Sequence, residues 1–129
     1  MQKKHMSKKR EVIEKINIRK QEIVMEQSKS QQLVEEMIKK YELETTIESR
    51  FIDLTSEIGE LGKEILKGTE YGKKVFTPTE NLESEIGDTI FSLTCIANSL
   101  GINMNQALHS AMNKYQKRFQ NKSSIDSST

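Results

Sequence analysis

Helix breakers are scarce in this chain and confined to a few places. The sole proline is Pro78, and five of the six glycines fall at 59, 62, 68, 72 and 87, with Gly101 apart. Proline removes an amide donor and clashes with the preceding turn, and glycine loosens a helix by about 1 kcal/mol against alanine, so their absence over long stretches permits helix and little else. The fold expected is therefore all-α, with four to five helices in a bundle-like arrangement. Apolar residues from Val12 to Ile38 recur at near-helical spacing, with the polar stretch 27–32 as a candidate break. This predicts one helical region over about 9–44. Thr45-Thr46-Ile47-Glu48 offers a capping box for a second helix that runs to Leu66 and ends at Lys67-Gly68. Residues 68–78 form the main loop. Thr79 offers a cap for a third helix, roughly 80–100, and Gly101 ends it. Asn103 or Asn105 can cap a fourth helix reaching about Phe119. The Ser-rich end is expected to be disordered.

Size and charge narrow the class. A chain of 129 residues, 34% hydrophobic and 30% charged, is one small domain with little core of its own. Completion by homo-oligomerisation is expected, as a homodimer or homotetramer. No apolar run is long enough for a membrane span, and no secretory signal is visible, so a cytoplasmic location is expected. The lone Cys95 agrees with that setting and excludes an intrachain disulfide. Residues 1–20 carry a net charge of +6 and the remainder −5. The segment 1–30 reads as a basic N-terminal helical extension, 31–120 as the main domain and 121–129 as a tail.

Two acidic pairs carry the chemistry. Glu57-Ile58-Gly59-Glu60 and Glu85-Ile86-Gly87-Asp88 share one pattern, carboxylates three apart with Ile-Gly between. Three residues apart on a helix is one face. Two such helices laid together aim four carboxylates at one place, where they repel unless a cation sits among them. Mg²⁺ takes oxygen ligands of this kind. At about 100° per residue, Leu54, Ile58, Leu61 and Ile65 form one stripe, with Asp53, Glu57, Glu60 and Glu64 beside it. Leu82, Ile86, Ile90, Leu93 and Ala97 form the matching stripe, with Glu85 and Asp88 at its edge. The acids are expected to border a buried apolar face, and Gly59, Gly62 and Gly87 to mark close approach.

The segments DLTSEIGELGKEILKG, ESEIGDTIFSLTCIANSLGINMNQAL and NKYQKRF resemble the all-α, MazG-like nucleoside triphosphate pyrophosphohydrolases, across about residues 41–119. That family's signature is E-x-x-E, a variable spacer and E-x-x-D; here 24 residues separate the halves. The resemblance implies a hydrolase that cleaves a (d)NTP between the α- and β-phosphates, giving the monophosphate and pyrophosphate in nucleotide-pool housekeeping. It implies Mg²⁺, with Mn²⁺ as substitute, held by Glu57, Glu60, Glu85 and Asp88. Glu64 would assist or orient water. Many members carry a further Glu where this chain has Leu61. Asn113, Lys114 and Arg118 match a basic segment that faces the triphosphate, and Tyr41 is the candidate for stacking on the base. No membrane partner is expected, and nucleic acid is not favoured. The competing reading is a non-catalytic helical interaction module that binds nucleic acid or protein through the basic arm.

Overall fold

The computed structural model describes residues 7–126, apart from the side chains of 21–28 and 123–126. The described residues form four α-helices: α1 (Lys8–Lys40), α2 (Ile47–Gly68), α3 (Leu82–Ser99) and α4 (Met104–Asp126). The polar stretch 27–32 does not interrupt α1, which is continuous over 33 residues. Its Gln and Ser residues are tolerable helix formers, so the pattern lapse there costs amphipathicity rather than helicity. The fourth helix continues to Asp126, past the expected end at Phe119 and into the tail expected to be disordered. Residues 127–129 lie outside the described part, as do Lys3 and Lys4 of the basic arm.

Helix ends explain the remaining boundaries. Thr46, not Thr45, caps α2: its hydroxyl accepts from the Ser49 amide at 3.2 Å. Asn103 caps α4, its side-chain oxygen accepting from the Asn105 and Gln106 amides at 2.9 and 3.1 Å. At their C-termini α1, α2 and α3 all close with the same paired bonds. In α1 the Leu43 amide reaches the Ile38 carbonyl and the Glu42 amide that of Lys39. In α2 Tyr71 reaches Leu66 and Glu70 reaches Lys67; in α3 Ile102 reaches Ala97 and Gly101 reaches Asn98. The left-handed position of this motif is Glu42, Glu70 and Gly101, with φ of 53°, 48° and 64°. Thus α2 ends at Gly68, at the expected Lys67-Gly68 boundary, with Gly68 itself still helical.

The chain divides into two compact units. Residues 31–102 form the first: the last turns of α1, then α2 packed along α3. These two helices are antiparallel. Arg50 neighbours Cys95, Glu57 meets Glu85, and Glu64 meets Thr79, which orders the contacts oppositely along the two. Gln31 joins α1 to the end of α3, donating to the Asn98 side chain at 3.0 Å and the Ile102 carbonyl at 2.9 Å, while Asn98 donates back to the Gln31 carbonyl. The second unit is residues 1–30 with 103–129. Lys20 of α1 there donates to Asn113 at 3.3 Å and to Gln116 at 3.4 Å on α4.

The α2–α3 pair does not bury the face expected. Leu54 and Leu61 are partly covered, but Ile58, Ile86 and Ile90 are 53%, 47% and 55% exposed, with Ile65 and Leu93 beside them. Among the described residues the buried apolar side chains are only Cys95 and Ala97, and buried Glu64, Ser92 and Thr94 lie on the same two helices. Glu57 and Glu64 of α2 and Glu85 of α3 are more covered than the isoleucines beside them. Thr94 is reconciled with burial by donating to the Ile90 carbonyl one turn back, at 2.6 Å.

Candidate metal centre

Glu57 of α2 and Glu85 and Asp88 of α3 are brought together: one carboxylate oxygen from each lies within 4.8 Å of the others. The three-residue spacing places Glu85 and Asp88 on one face, and the antiparallel packing sets Glu57 opposite. Glu57 and Glu85 are half-buried and Asp88 is exposed, so the group opens to solvent on one side. Loss of hydration raises the Glu85 pKa above its ordinary value, and the charges of Asp88, Glu60 and Glu57 add to the rise. Glu60 therefore stands near, exposed and outside the close trio.

This donor set fits a hard divalent cation. Three carboxylate oxygens converge, with water able to complete the shell on the open side. Their mutual repulsion is the cost that a bound cation would remove. The whole 31–102 unit carries a net charge of −7, which favours cation approach.

Glu64 differs from the others. It is 5% exposed. The Thr79 hydroxyl donates to its Oε1 at 2.7 Å, and Lys67 Nζ donates to its Oε2 at 3.4 Å. Thr79, first, then Lys67 hold this carboxyl below the usual range against the opposing effect of burial, with the Asn81 amide contributing. Thr79 is thus not the cap of α3. Asn81 occupies that position, and its side chain makes no capping bond. The signal for this arrangement was present in the TPTEN segment, but a threonine before a helix reads first as a cap.

Glycines divide in the same way. A Cβ at Gly59, Gly62 or Gly87 would meet nothing within 4 Å, so no close approach inside the chain requires them. At Gly68 it would stand 2.6 Å from the Phe76 ring and 2.7 Å from the Thr77 carbonyl. There the 69–81 connection folds back on α2, and the Thr77 amide donates to the Gly68 carbonyl at 2.9 Å.

Two helical turns from the trio, toward the start of α2 and the end of α3, lies a cleft of about 180 Å³. Ile38 and Lys39, Arg50, and Cys95 with Asn98 line it. Seven residues separate Arg50 from Glu57 and Asp88 from Cys95, an offset of about 10 Å at the helical rise. Tyr41 directly follows α1, with its ring exposed and Lys40 Nζ 5.3 Å from the ring centre. Asn113, Lys114 and Arg118 belong to the other unit. Asn113 bonds Lys20 and lies 3.3 Å from His109 Nδ1, and Lys114 and Arg118 flank the Tyr115 ring at 5.7 and 5.6 Å.

Comparison with known proteins gives this geometry a setting. The family model of the MazG nucleotide pyrophosphohydrolase domain matches residues 45–122. The YpjD protein of Bacillus subtilis (strain 168) is 43% identical over 68 residues, half of this chain. The chain spans 60% of that relative's length. A Bacillus-conserved MazG protein, a nucleotide pyrophosphohydrolase, superposes with a TM-score of 0.58 at 31% identity, over 68% of this chain and 86% of its own. The structure of YpjD from Bacillus subtilis, a candidate pyrophosphatase, superposes at 0.56 and 33% identity, over 68% of this chain and 90% of its own. With the acidic trio on the two helices at the heart of the matched segment, the chain belongs to the MazG nucleotide pyrophosphohydrolase family of hydrolases.

Proposed function

We propose that the protein is a Mg²⁺-dependent nucleoside triphosphate pyrophosphohydrolase that cleaves a (d)NTP between the α- and β-phosphates, and that its role is nucleotide-pool housekeeping in the cytoplasm. The observation that carries this reading is the convergence of Glu57, Glu85 and Asp88 within 4.8 Å in a chain of this family. Glu57, Glu60, Glu85 and Asp88 are assigned as the metal's ligands, with Mn²⁺ as substitute. When bound, the ion supplies charge neutralisation on phosphate oxygens and a water made acidic enough to attack. Glu85, whose proton affinity is raised by burial and by the neighbouring carboxylates, is the ligand whose ionised form gains most from a bound cation. Asn113, Lys114 and Arg118 offer amide, ammonium and guanidinium donors suited to phosphate oxygens. Tyr41 offers an exposed ring for the base, and the nearby cleft between α1, α2 and α3 has polar and apolar walls to hold it.

We also assign the exposed isoleucine stripe of α2 and α3 to a second copy of the chain. Ile58, Ile65, Ile86, Ile90 and Leu93 stand together on the side left open by the α2–α3 pair, which is the kind of surface a homodimer covers.

The test is a panel of NTPs and dNTPs incubated with Mg²⁺ or with EDTA, with pyrophosphate and monophosphate measured. Metal-dependent release of both in equal amounts supports the reading, and the rate order names the base and sugar. A folded protein that releases nothing with Mg²⁺ or Mn²⁺ rejects it and leaves the interaction module.

A further inference from the structure

We propose that Glu64 is a positioning residue: its buried carboxylate latches the α2–α3 connection, and through that connection sets where α3 presents Glu85 and Asp88. The inference rests on the metal reading above for its effect on the cation, but not for the latch itself.

Glu64 lies one turn beyond Glu60, where a metal ligand or water-orienting base would be placed by spacing alone. Its surroundings favour another use. Both oxygens already have donors, Thr79 at 2.7 Å and Lys67 at 3.4 Å, and it does not join the trio within 4.8 Å. Thr79 stands three residues before Leu82, where α3 begins, and six before Glu85. The start of α3 has no side-chain cap of its own. Beyond its packing along α2, the placement of its first turn therefore depends on what holds residues 69–81 to α2. Four contacts do so: Phe76 against Gly68, the Thr77 amide on the Gly68 carbonyl, and Thr79 and Asn81 on Glu64. The two on Glu64 are nearest the metal-facing turn of α3, and the firmer of them, from Thr79, is buried at the Glu64 end, where solvent does not compete for the bond. A carboxylate in this position acts as an outer-shell group that orients the ligands, and loss of such a group typically costs 10- to 100-fold in metal affinity.

The experiment uses the full chain and Mn²⁺ alone as probe, with binding followed by electron paramagnetic resonance. Tryptic cleavage at Lys73 and Lys74, in the connection itself, is followed on metal-free protein. Thr79→Val removes the hydroxyl and leaves the Glu64 charge. It is expected to weaken Mn²⁺ binding about tenfold and to speed cleavage at Lys73 and Lys74. Thr79→Ser, which keeps the hydroxyl, is expected to restore both. Glu64→Gln, whose amide oxygen still accepts from Thr79, is expected to hold most of the affinity that Glu64→Ala loses. Combining Glu64→Ala with Thr79→Val should cost no more than Glu64→Ala alone. The inference is overturned if Thr79→Val binds Mn²⁺ and resists trypsin like the wild type, or if Glu64→Gln loses as much affinity as Glu64→Ala, the pattern of a direct ligand. A wild-type chain that takes up no Mn²⁺ overturns the metal reading, and the cleavage rates then decide the latch separately.

Discussion

Glu85 and Glu64 sit on facing helices and have opposite responses to pH. Burial and neighbouring carboxylates raise the Glu85 pKa, so folding binds its proton more tightly. Stability therefore falls as pH rises through that raised value, because ionised Glu85 is disfavoured in the fold. The Thr79 hydroxyl and Lys67 lower the Glu64 pKa, so its contribution is present above the ordinary carboxylate range and is lost as pH falls through the lowered value. In EDTA, thermal melting followed from pH 4 to 8 should show Glu85→Gln more stable than wild type at pH 7, with the advantage shrinking toward low pH. A variant no more stable at pH 7 would contradict the repulsion. At Gly68 a methyl group has no room against Phe76 and the Thr77 carbonyl. Gly68→Ala should cost about 1–3 kcal/mol in urea unfolding, as overpacking does. The acidic pairs were legible in sequence because three-residue spacing on a helix is rigid geometry. The partners of Glu64 were not, since Thr79 lies 15 residues away across a loop whose path no local rule gives.

Helices were legible because breakers are few, and their ends less so. Gly101 at the close of α3 is the residue that a left-handed position favours. Glu42 and Glu70 occupy the same position at the ends of α1 and α2 with no such signature; α1 stops at Lys40, short of the expected Glu44, whereas Lys67-Gly68 marks the end of α2 in the sequence. A side chain there pays a conformational penalty of about 1 kcal/mol that glycine avoids. Glu42→Gly should accordingly raise stability by up to that amount, and Gly101→Ala should lower it comparably; melting curves of the two variants against wild type check both. The amphipathic stripes are legible as stripes, but the expected buried face is half exposed within the chain at Ile58, Ile86 and Ile90. Periodicity tells which residues share a face. It does not tell whether that face meets another helix of the chain or another molecule.

At the scale of the molecule, that ambiguity becomes a prediction. A 31–102 unit that leaves Ile58, Ile86 and Ile90 half exposed lacks the buried apolar area that stabilises a small domain. Ile58→Glu or Ile90→Glu should convert an oligomer to a monomer in light scattering and lower its melting temperature. Wild-type protein that is already monomeric at micromolar concentration would contradict the assignment of that face. Family membership, by contrast, was legible in full, because E-x-x-E and E-x-x-D with their glycines and flanking apolar residues record the site and the helices that carry it together.

The most direct test of the central claim, that Glu57, Glu85 and Asp88 hold a cation that drives hydrolysis, is pyrophosphate release measured against Mg²⁺ concentration for wild type and Glu85→Gln side by side. The account predicts no release in EDTA, saturable activation of the wild type, and a loss of about 100-fold or more in the variant, beyond what removal of an outer-shell partner costs. Release by a folded Glu85→Gln at the wild-type rate, or release that persists in EDTA, would contradict it.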